Sequence, residues 1–169
     1  MKHDLIIVEG TTFIFKTNFS GDPERDKYGS NQRKANLVIP DIDLARELID
    51  EGFNVKLTKP REGEEEGFIP KYFISIKLNY ESKWPPKVFL VTSNGKTVPL
   101  DAESVNCLDY MWIENVNVVL NRYEGPNGKS LYIRSMEVFQ MVDNDPIAAK
   151  YVEMAVDFGG NEEEAVSFN

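Results

Sequence analysis

Lysines and aromatic residues alternate with apolar residues along several strand-like segments, a pattern that could bind a single-stranded polyanion. Lys71, Phe73 and Lys77 share one face of residues 69–80, and Tyr132 and Arg134 share a face of residues 130–141. Lysines can contact phosphates while exposed rings stack on unpaired bases, which contributes roughly 1–3 kcal/mol per base. Rings also fill cores and lysines decorate any solvated strand, so a structural role for each single residue stays open.

We predict two sets of contacts with a nucleic acid. Phosphates would be bound by Lys16, Arg33, Lys34, Lys56, Lys71 and Lys77. Bases would stack on Tyr28, Phe73 and Tyr132. A polar loop at residues 20–32 could close over the nucleic acid, since long loops in compact domains are often functional. The residues in and after this loop that suit the role are Arg25, Lys27, Tyr28, Asn31, Arg33 and Lys34. An ordinary solvated loop is the alternative.

The net charge of −9, from 28 acidic and 19 basic residues, at first argues against a polyanionic partner. The acidic residues are unevenly distributed, however. Residues 141–169 carry a charge of −6, and residues 62–66 contain four glutamates, so the rest of the chain carries +1. Blocks of like charge are typical of solvated interaction segments. The distribution therefore permits a basic surface on a nearly neutral body.

The acidic C-terminal segment ends close to an aromatic residue and could act as a docking peptide. Its candidate partner-binding residues are Glu162, Glu163, Glu164 and Phe168. Carboxylates resemble phosphates electrostatically, so the segment could recruit partner proteins or compete with a nucleic acid for the basic surface. A solubilising end without a partner is the alternative.

The sequence offers no residue set for catalysis, for a metal ion or for a cofactor. A single cysteine, Cys107, and a single histidine, His3, cannot form a Cys/His zinc site or an intrachain disulfide. Phosphate-cradling glycine loops, a Gly-x-Ser-x-Gly motif and a calcium-loop pattern are also missing. No apolar run approaches the ~20 residues of a membrane span, and the start lacks signal-peptide features. We therefore expect a cytoplasmic binding protein and not an enzyme.

Short alternating segments and frequent turn signals predict a mainly all-β fold, an OB-like Greek-key β-barrel with one or two short helices. Residues 11–19 alternate so that Phe13, Phe15 and Phe19 would share one face. Further strands are predicted at 5–8, 34–39, 53–59, 69–80, 87–92, 96–98, 113–122 and 130–141. A helix should begin after Asp41 and end before Gly52. We predict a barrel domain at 1–142, a short helical extension at 143–158 and an acidic flexible tail at 159–169.

An ordered series of short segments resembles the OB-fold single-stranded DNA-binding proteins of tailed bacteriophages. The segments span about residues 10–140 and are Asn18-Phe19-Ser20-Gly21, Asn31, Arg33, Val38-Ile39, Ala45, Leu48, Gly52-Phe53-Asn54-Val55-Lys56, Ile76-Lys77-Leu78-Asn79-Tyr80, Pro85-Pro86-Lys87-Val88, Leu108-Asp109 and Ile113-Glu114-Asn115-Val116. The resemblance implies sequence-tolerant binding of single-stranded DNA (ssDNA) during phage replication or recombination. It also implies an acidic tail that contacts replication proteins. Two positions differ from the family pattern: Phe53 stands where tryptophan is frequent, and Glu124 follows Tyr123 where a further aromatic residue is frequent soon after.

Two other functional classes fit parts of the sequence. In a protein–protein adaptor, the exposed rings and the acidic tail would serve a protein partner without any nucleic acid. A metal-dependent nuclease would need carboxylates such as Asp101, Glu103 and Asp109, but no histidine accompanies them. Binding and coating of ssDNA is the function that the residue pattern favours.

Overall fold

The computed structural model describes residues 5–126 and 128–141. The described strands are β1 (Leu5–Thr11), β2 (Phe13–Asn18), β3 (Arg33–Ile39), β4 (Lys56–Leu57), β5 (Tyr72–Leu78), β6 (Lys87–Val91), β7 (Thr97–Leu100), β8 (Ile113–Gly125) and β9 (Gly128–Gln140). The described helices are α1 (Ile42–Asp50) and two 3-10 helices, Pro23–Arg25 and Ser104–Tyr110. None of these helices is long and apolar enough to span a membrane. The predicted extension at 143–158 and tail at 159–169 lie outside the described residues.

The strands pair around a barrel. The order of pairing is β1-β8-β9-β5-β3-β2, with β4 beside β5 and the β6–β7 hairpin beside β9. Only Thr12 separates β1 from β2, so both ends of this path belong to one bent strand. At the bend, the Thr11 hydroxyl donates to the Val38 carbonyl oxygen at 2.5 Å, and the Val38 N–H donates to the Thr12 carbonyl oxygen at 3.0 Å. These bonds attach the bend to β3, and the mainly β, OB-like fold is confirmed.

Alternation along the strands places the apolar core inside the barrel. On β5, Ile74, Ile76 and Leu78 are buried in one core cluster, as the period-two pattern of residues 69–80 predicts. Helix α1 packs against β3 and β5 and adds Ala45 and Leu48, which are completely buried. Burying a leucine side chain contributes about 1.5–3 kcal/mol, so Leu48 helps to hold α1 on the barrel. The helix covers the core and leaves the outer faces of β3 and β5 free for other contacts.

Helix α1 has the boundaries that its end signals predict. The Asp41 carboxylate accepts hydrogen bonds from the N–H groups of Asp43 and Leu44 at 3.0 and 3.3 Å, which satisfies donors that a helix start leaves unpaired. After the helix, Gly52 adopts a φ of +96°, a conformation that favours glycine. The chain then reverses and leads into β4.

Strand β2 differs from the predicted alternation. Ile14 pairs with Asn36 and Asn18 pairs with Lys34, so three residues of β2 lie opposite the single residue between them on β3. The bulge includes Phe15, whose φ is +64°. Bulges re-aim side chains. Phe13 still packs on Phe19, with ring centroids 5.2 Å apart, but the ring of Phe15 contacts Phe73, also at 5.2 Å. The prediction that Phe13, Phe15 and Phe19 share one face was therefore wrong for Phe15.

The predicted strand at 53–59 is much shorter in the structure. Only Lys56–Leu57 pairs with β5, opposite Phe73 and Tyr72. Phe53 is instead buried below the end of α1, where its N–H donates to the Leu48 carbonyl oxygen at 2.9 Å. The alternation of Phe53, Val55 and Leu57 thus reflects a chain that packs on the barrel before it joins the sheet.

Candidate nucleic-acid interface

Strand pairing brings several predicted contact residues together on the outside of the barrel. On β5, the residues between the core positions are Phe73, Ser75 and Lys77. Register places Lys34 opposite Lys77 and places Lys77 beside Tyr132 of β9. We call this surface the basic face, and its residues are Lys34, Asn36, Lys56, Phe73, Ser75, Lys77, Ser130 and Tyr132. Lys129 lies at its edge, and the shallow groove between β4, β5 and the start of β9 measures about 190 Å³.

Lys77 lies at the centre of the basic face. Its Nζ donates to the Ser130 hydroxyl at 3.1 Å and lies 5.9 Å from the centroid of the Tyr132 ring. The Tyr132 ring meets that of Tyr123 edge-on, with centroids 5.5 Å apart. Because Lys34 is the direct cross-strand neighbour of Lys77, two like charges face each other on one sheet. Such a pair is destabilising unless an anion lies between or beside the two charges.

Asp26 of the 20–32 loop supplies an anion to Lys34. The Lys34 Nζ lies 2.5 Å from the Asp26 carboxylate, which also accepts hydrogen bonds from the N–H groups of Tyr28 and Ser30 at 2.9 Å each. The hydrogen bond from Lys34 and these backbone donors lower the pKa of Asp26 to about 2. The carboxylate therefore keeps its charge in the folded protein down to about pH 2, and the stability that it contributes is full above the ordinary pKa of 3.8 and is lost as the pH falls from there through the pKa of about 2.

Replacing Asp26 by asparagine should raise the affinity for ssDNA about threefold to tenfold at low salt. The change removes the carboxylate that competes with a phosphate for Lys34. Fluorescence anisotropy with labelled oligo-dT would measure the effect. Glu24→Gln is the matched control, because Glu24 is exposed, belongs to the same loop and removes the same charge. An equal gain in both variants would show that net charge alone, and not the Lys34 contact, sets the affinity.

Arg33 lies apart from the basic face, although it stands next to Lys34 in the sequence. Its Nη1 donates to the Phe19 carbonyl oxygen at 2.8 Å and to Asn106 Oδ1 at 3.1 Å. The guanidinium also lies 5.4 Å from the centroid of the Tyr80 ring. Burial raises the pKa of the Tyr80 hydroxyl to about 12, although the nearby Arg33 charge opposes the shift. These contacts give Arg33 a role in holding the loop against the 3-10 helix Ser104–Tyr110.

Arg25 is buried, so it is not one of the solvent-facing bases of a closing loop. Its Nε and Nη2 donate to the Thr17 carbonyl oxygen at 3.1 and 2.9 Å, and its Nε lies 3.6 Å from the Asp109 carboxylate. Asp109 in turn accepts hydrogen bonds from the Thr17 hydroxyl and from the N–H groups of Phe19 and Ser20, at 2.7, 2.7 and 2.9 Å. We call Arg25, Asp109 and these partners the loop anchor. It attaches the start of the 20–32 loop to the barrel.

The remaining predicted contact residues Lys71, Lys16 and Tyr28 occupy three different places. Lys71 lies beyond the end of the basic face, beside a larger groove that Phe73 also lines. Lys16 is half-buried on β2 within the bulge. Tyr28 is 85% exposed on the loop, with the Lys27 Nζ 5.7 Å from its ring centroid. The tail residues Glu162, Glu163, Glu164 and Phe168 lie outside the described residues.

Three residues near the interface were missing from the predicted set. Phe15 reaches the outer surface through the bulge. No turn residue in the sequence indicates that bulge. Tyr123 contacts Tyr132 because β8 and β9 pair as a hairpin, so pairing the two strands at the Gly125–Gly128 turn could have identified it. Lys129 donates from its Nζ to the Glu51 carbonyl oxygen and lies 5.7 Å from the Phe53 ring centroid.

Comparisons with known proteins place the chain in a family. The model of the phage ssDNA-binding domain family matches residues 1–164. The C-terminally truncated single-stranded DNA-binding protein of bacteriophage Enc34 is 16% identical, with a TM-score of 0.43 over 85% of this chain and 88% of that one. For gp2.5, the single-stranded DNA-binding protein of bacteriophage T7, the identity is 15% and the TM-score 0.40, over 86% and 98% of the two chains. The search of curated proteins gave no match. Because the family match spans nearly the whole sequence, the protein belongs to the phage ssDNA-binding domain family.

Proposed function

We propose that ssDNA crosses the basic face of the barrel, with its phosphates on Lys34, Lys56 and Lys77 and a base on Tyr132. Membership of the family supports ssDNA binding as the function and a binding protein rather than an enzyme. The observation that carries the placement is the alignment of Lys34, Lys77 and Tyr132 on three neighbouring strands. Phosphate contacts and stacking carry little sequence information, so the protein would coat ssDNA with little sequence preference.

The predicted contacts outside this alignment keep different places in the proposal. Lys71 would bind a phosphate beyond the basic face, and Lys16 would bind one beside the bulge. Tyr28 would stack on a base from the loop above Lys34. Arg33 would act through the loop that it holds and not through direct contact with a phosphate, because its guanidinium already has two acceptors and a ring.

A titration with oligo-dT at several salt concentrations tests this function. Each phosphate contact on a single strand releases counterions and lowers the slope of log K against log salt by about 0.7. With three to five contacts we expect a slope between about −2 and −3.5, and similar affinities for oligo-dT and oligo-dC. No binding at micromolar protein in low salt would contradict the proposal, and would favour the adaptor that uses its rings and tail for a protein partner.

We also propose that the acidic tail recruits replication or recombination proteins, or competes with DNA for the basic face, in the cytoplasm of the phage-infected cell. The charge of −6 within residues 141–169, and the apolar Phe168 near its end, support this role. Deletion of residues 157–169 should raise the ssDNA affinity severalfold at low salt, and the gain should vanish at high salt because salt screens the competing charges. An unchanged affinity at low salt would exclude competition and leave recruitment alone.

A further inference from the structure

A second, larger groove shares Phe73 with the basic face. It measures about 730 Å³, within the usual range of ligand sites. One wall is the β2 bulge with Ile14 and Phe15, and the other is the segment from Leu57 to Lys71. Phe73 lines both this groove and the smaller groove of the basic face, so the two grooves are neighbours. We call this larger groove the Phe15 groove.

The lining of the Phe15 groove combines an apolar interior with a mostly basic rim. Phe15, Phe68 and Phe73 supply rings, and Leu57 and Ile69 add aliphatic surface. Ile69 is 78% exposed, so it adds accessible apolar surface to the groove. The polar rim consists of Thr58, Lys59, Arg61, Lys71 and a single carboxylate, Glu64. Rings beside cations suit a nucleotide, because its base is a flat aromatic system and its phosphate is an anion.

The backbone at Phe15 supports a binding role for this ring. A φ of +64° is uncommon for a bulky residue, and such a strained conformation persists only where the surrounding structure enforces it. The strained conformation turns Phe15 away from Phe13 and Phe19, which pack together, and towards Phe73 on the outside. Phe73 alone is only 8% exposed and could offer little surface to a base. The bulge thus provides the outer surface with a ring that regular alternation would have directed to the core.

We propose that the Phe15 groove is a nucleobase-binding subsite that takes one unstacked base of the bound strand, with Phe15 against the base, Phe73 packed against Phe15 and Lys71 against an adjoining phosphate. The inference rests on the proposed ssDNA function and adds a defined base contact to it. Bases in a duplex are paired and stacked, so the groove accepts only single strands. Selection of single-stranded over double-stranded DNA would then depend on Phe15.

Two variants of Phe15 test the subsite without threatening the fold. Phe15→Gly removes the ring and suits a positive φ, so the protein should remain folded, which circular dichroism would check. Phe15→Tyr keeps a ring. We expect Phe15→Gly to weaken oligo-dT binding about tenfold with an unchanged salt slope, and Phe15→Tyr to bind as the wild type. Binding to an abasic oligodeoxyribose phosphate of equal length should be the same for all three proteins. Ile7→Ala is the control, since Ile7 is 61% exposed on β1 and lines neither groove.

A cross-linking experiment locates the base directly. Oligonucleotides with 5-iododeoxyuridine should cross-link under ultraviolet light to peptides that contain Phe15, Phe68 or Phe73, and mass spectrometry would identify them. Cross-links confined to Tyr123 or Tyr132, or equal losses for oligo-dT and the abasic strand in Phe15→Gly, would overturn the subsite. If the wild-type protein and Phe15→Gly bind oligo-dT equally well, the subsite alone is refuted. A wild-type protein that binds no ssDNA refutes the proposed function itself.

Discussion

Replacing Lys77 by glutamate should weaken oligo-dT binding about 30-fold or more at low salt, the largest loss expected from a single change on the basic face. Lys77 Nζ lies at the centre of that face, between Ser130 and the Tyr132 ring, and opposite Lys34. The change removes one phosphate partner and adds a negative charge close to the path of the strand. At an effective dielectric constant of about 20, a unit charge pair 4 Å apart interacts by ~4 kcal/mol, so a net loss of ~2 kcal/mol is a conservative expectation.

The measurement is fluorescence anisotropy with oligo-dT over a series of salt concentrations. The slope of log K against log salt should become less steep by about 0.7 or more, because at least one counterion-releasing contact is lost. Lys87→Glu is the matched control. Lys87 is an exposed strand lysine on β6, beside Ser135 and away from the basic face, and its reversal changes the net charge equally. Equal losses in the two variants would show that DNA responds to overall charge and has no defined path across β5.

The basic face could be predicted in outline because it depends on regular strand geometry. Along β5, a period of two separates Ile74 and Ile76 from Phe73, Ser75 and Lys77, and the sequence displays this period without interruption. Once one strand is assigned, its outward residues form a row. The neighbouring row comes from another strand, and the barrel topology determines which one. The predicted OB-like fold supplies only the general order of the strands.

The Phe15 groove could not be predicted, because it depends on a break in the same period. Residues 11–19 alternate in the sequence as well as residues 69–80 do, yet β2 contains a bulge. Glycine or asparagine commonly marks a positive φ, and here a phenylalanine adopts it. The pairing of β2 with β3 on one side, and its continuation into β1 on the other, determine where the additional residues lie. This constraint is tertiary and leaves no local signal.

The roles of the arginines also depend on distant partners. Arg25 and Arg33 resemble solvent-facing bases in a polar loop, and nothing within several residues distinguishes them from Lys27 or Lys34. Each has an acceptor on the chain before it, Thr17 for Arg25 and Phe19 for Arg33, and a partner in the 3-10 helix far along the chain, Asp109 for Arg25 and Asn106 for Arg33. Arginine is suited to such contacts, because its planar donor group can satisfy several buried acceptors at once. The lysines near them stay closer to the surface, Lys27 beside the Tyr28 ring and Lys34 paired with Asp26.

Replacing Asp109 by asparagine should lower the free energy of unfolding by about 3–5 kcal/mol. The Asp109 side chain is 0% exposed and that of Arg25 is 1% exposed, so the variant leaves a buried arginine without its counter-charge. For a domain of this size the melting temperature should fall by roughly 6–20 °C, as differential scanning calorimetry would measure. The control is Asp50→Asn, an exposed residue at the end of α1, which should change stability by less than about 0.5 kcal/mol.

A double-mutant cycle separates the two contributions of the loop anchor. If the main cost in Asp109→Asn is the uncompensated charge of Arg25, then Arg25→Gln in the same chain removes that charge and should recover at least ~1 kcal/mol relative to the sum of the two single changes. If the cost instead comes from the hydrogen bonds that Asp109 accepts from Thr17, Phe19 and Ser20, the two changes should add. Additive losses would contradict the ion-pair account of the anchor and assign its stability to the backbone bonds that hold the start of the loop.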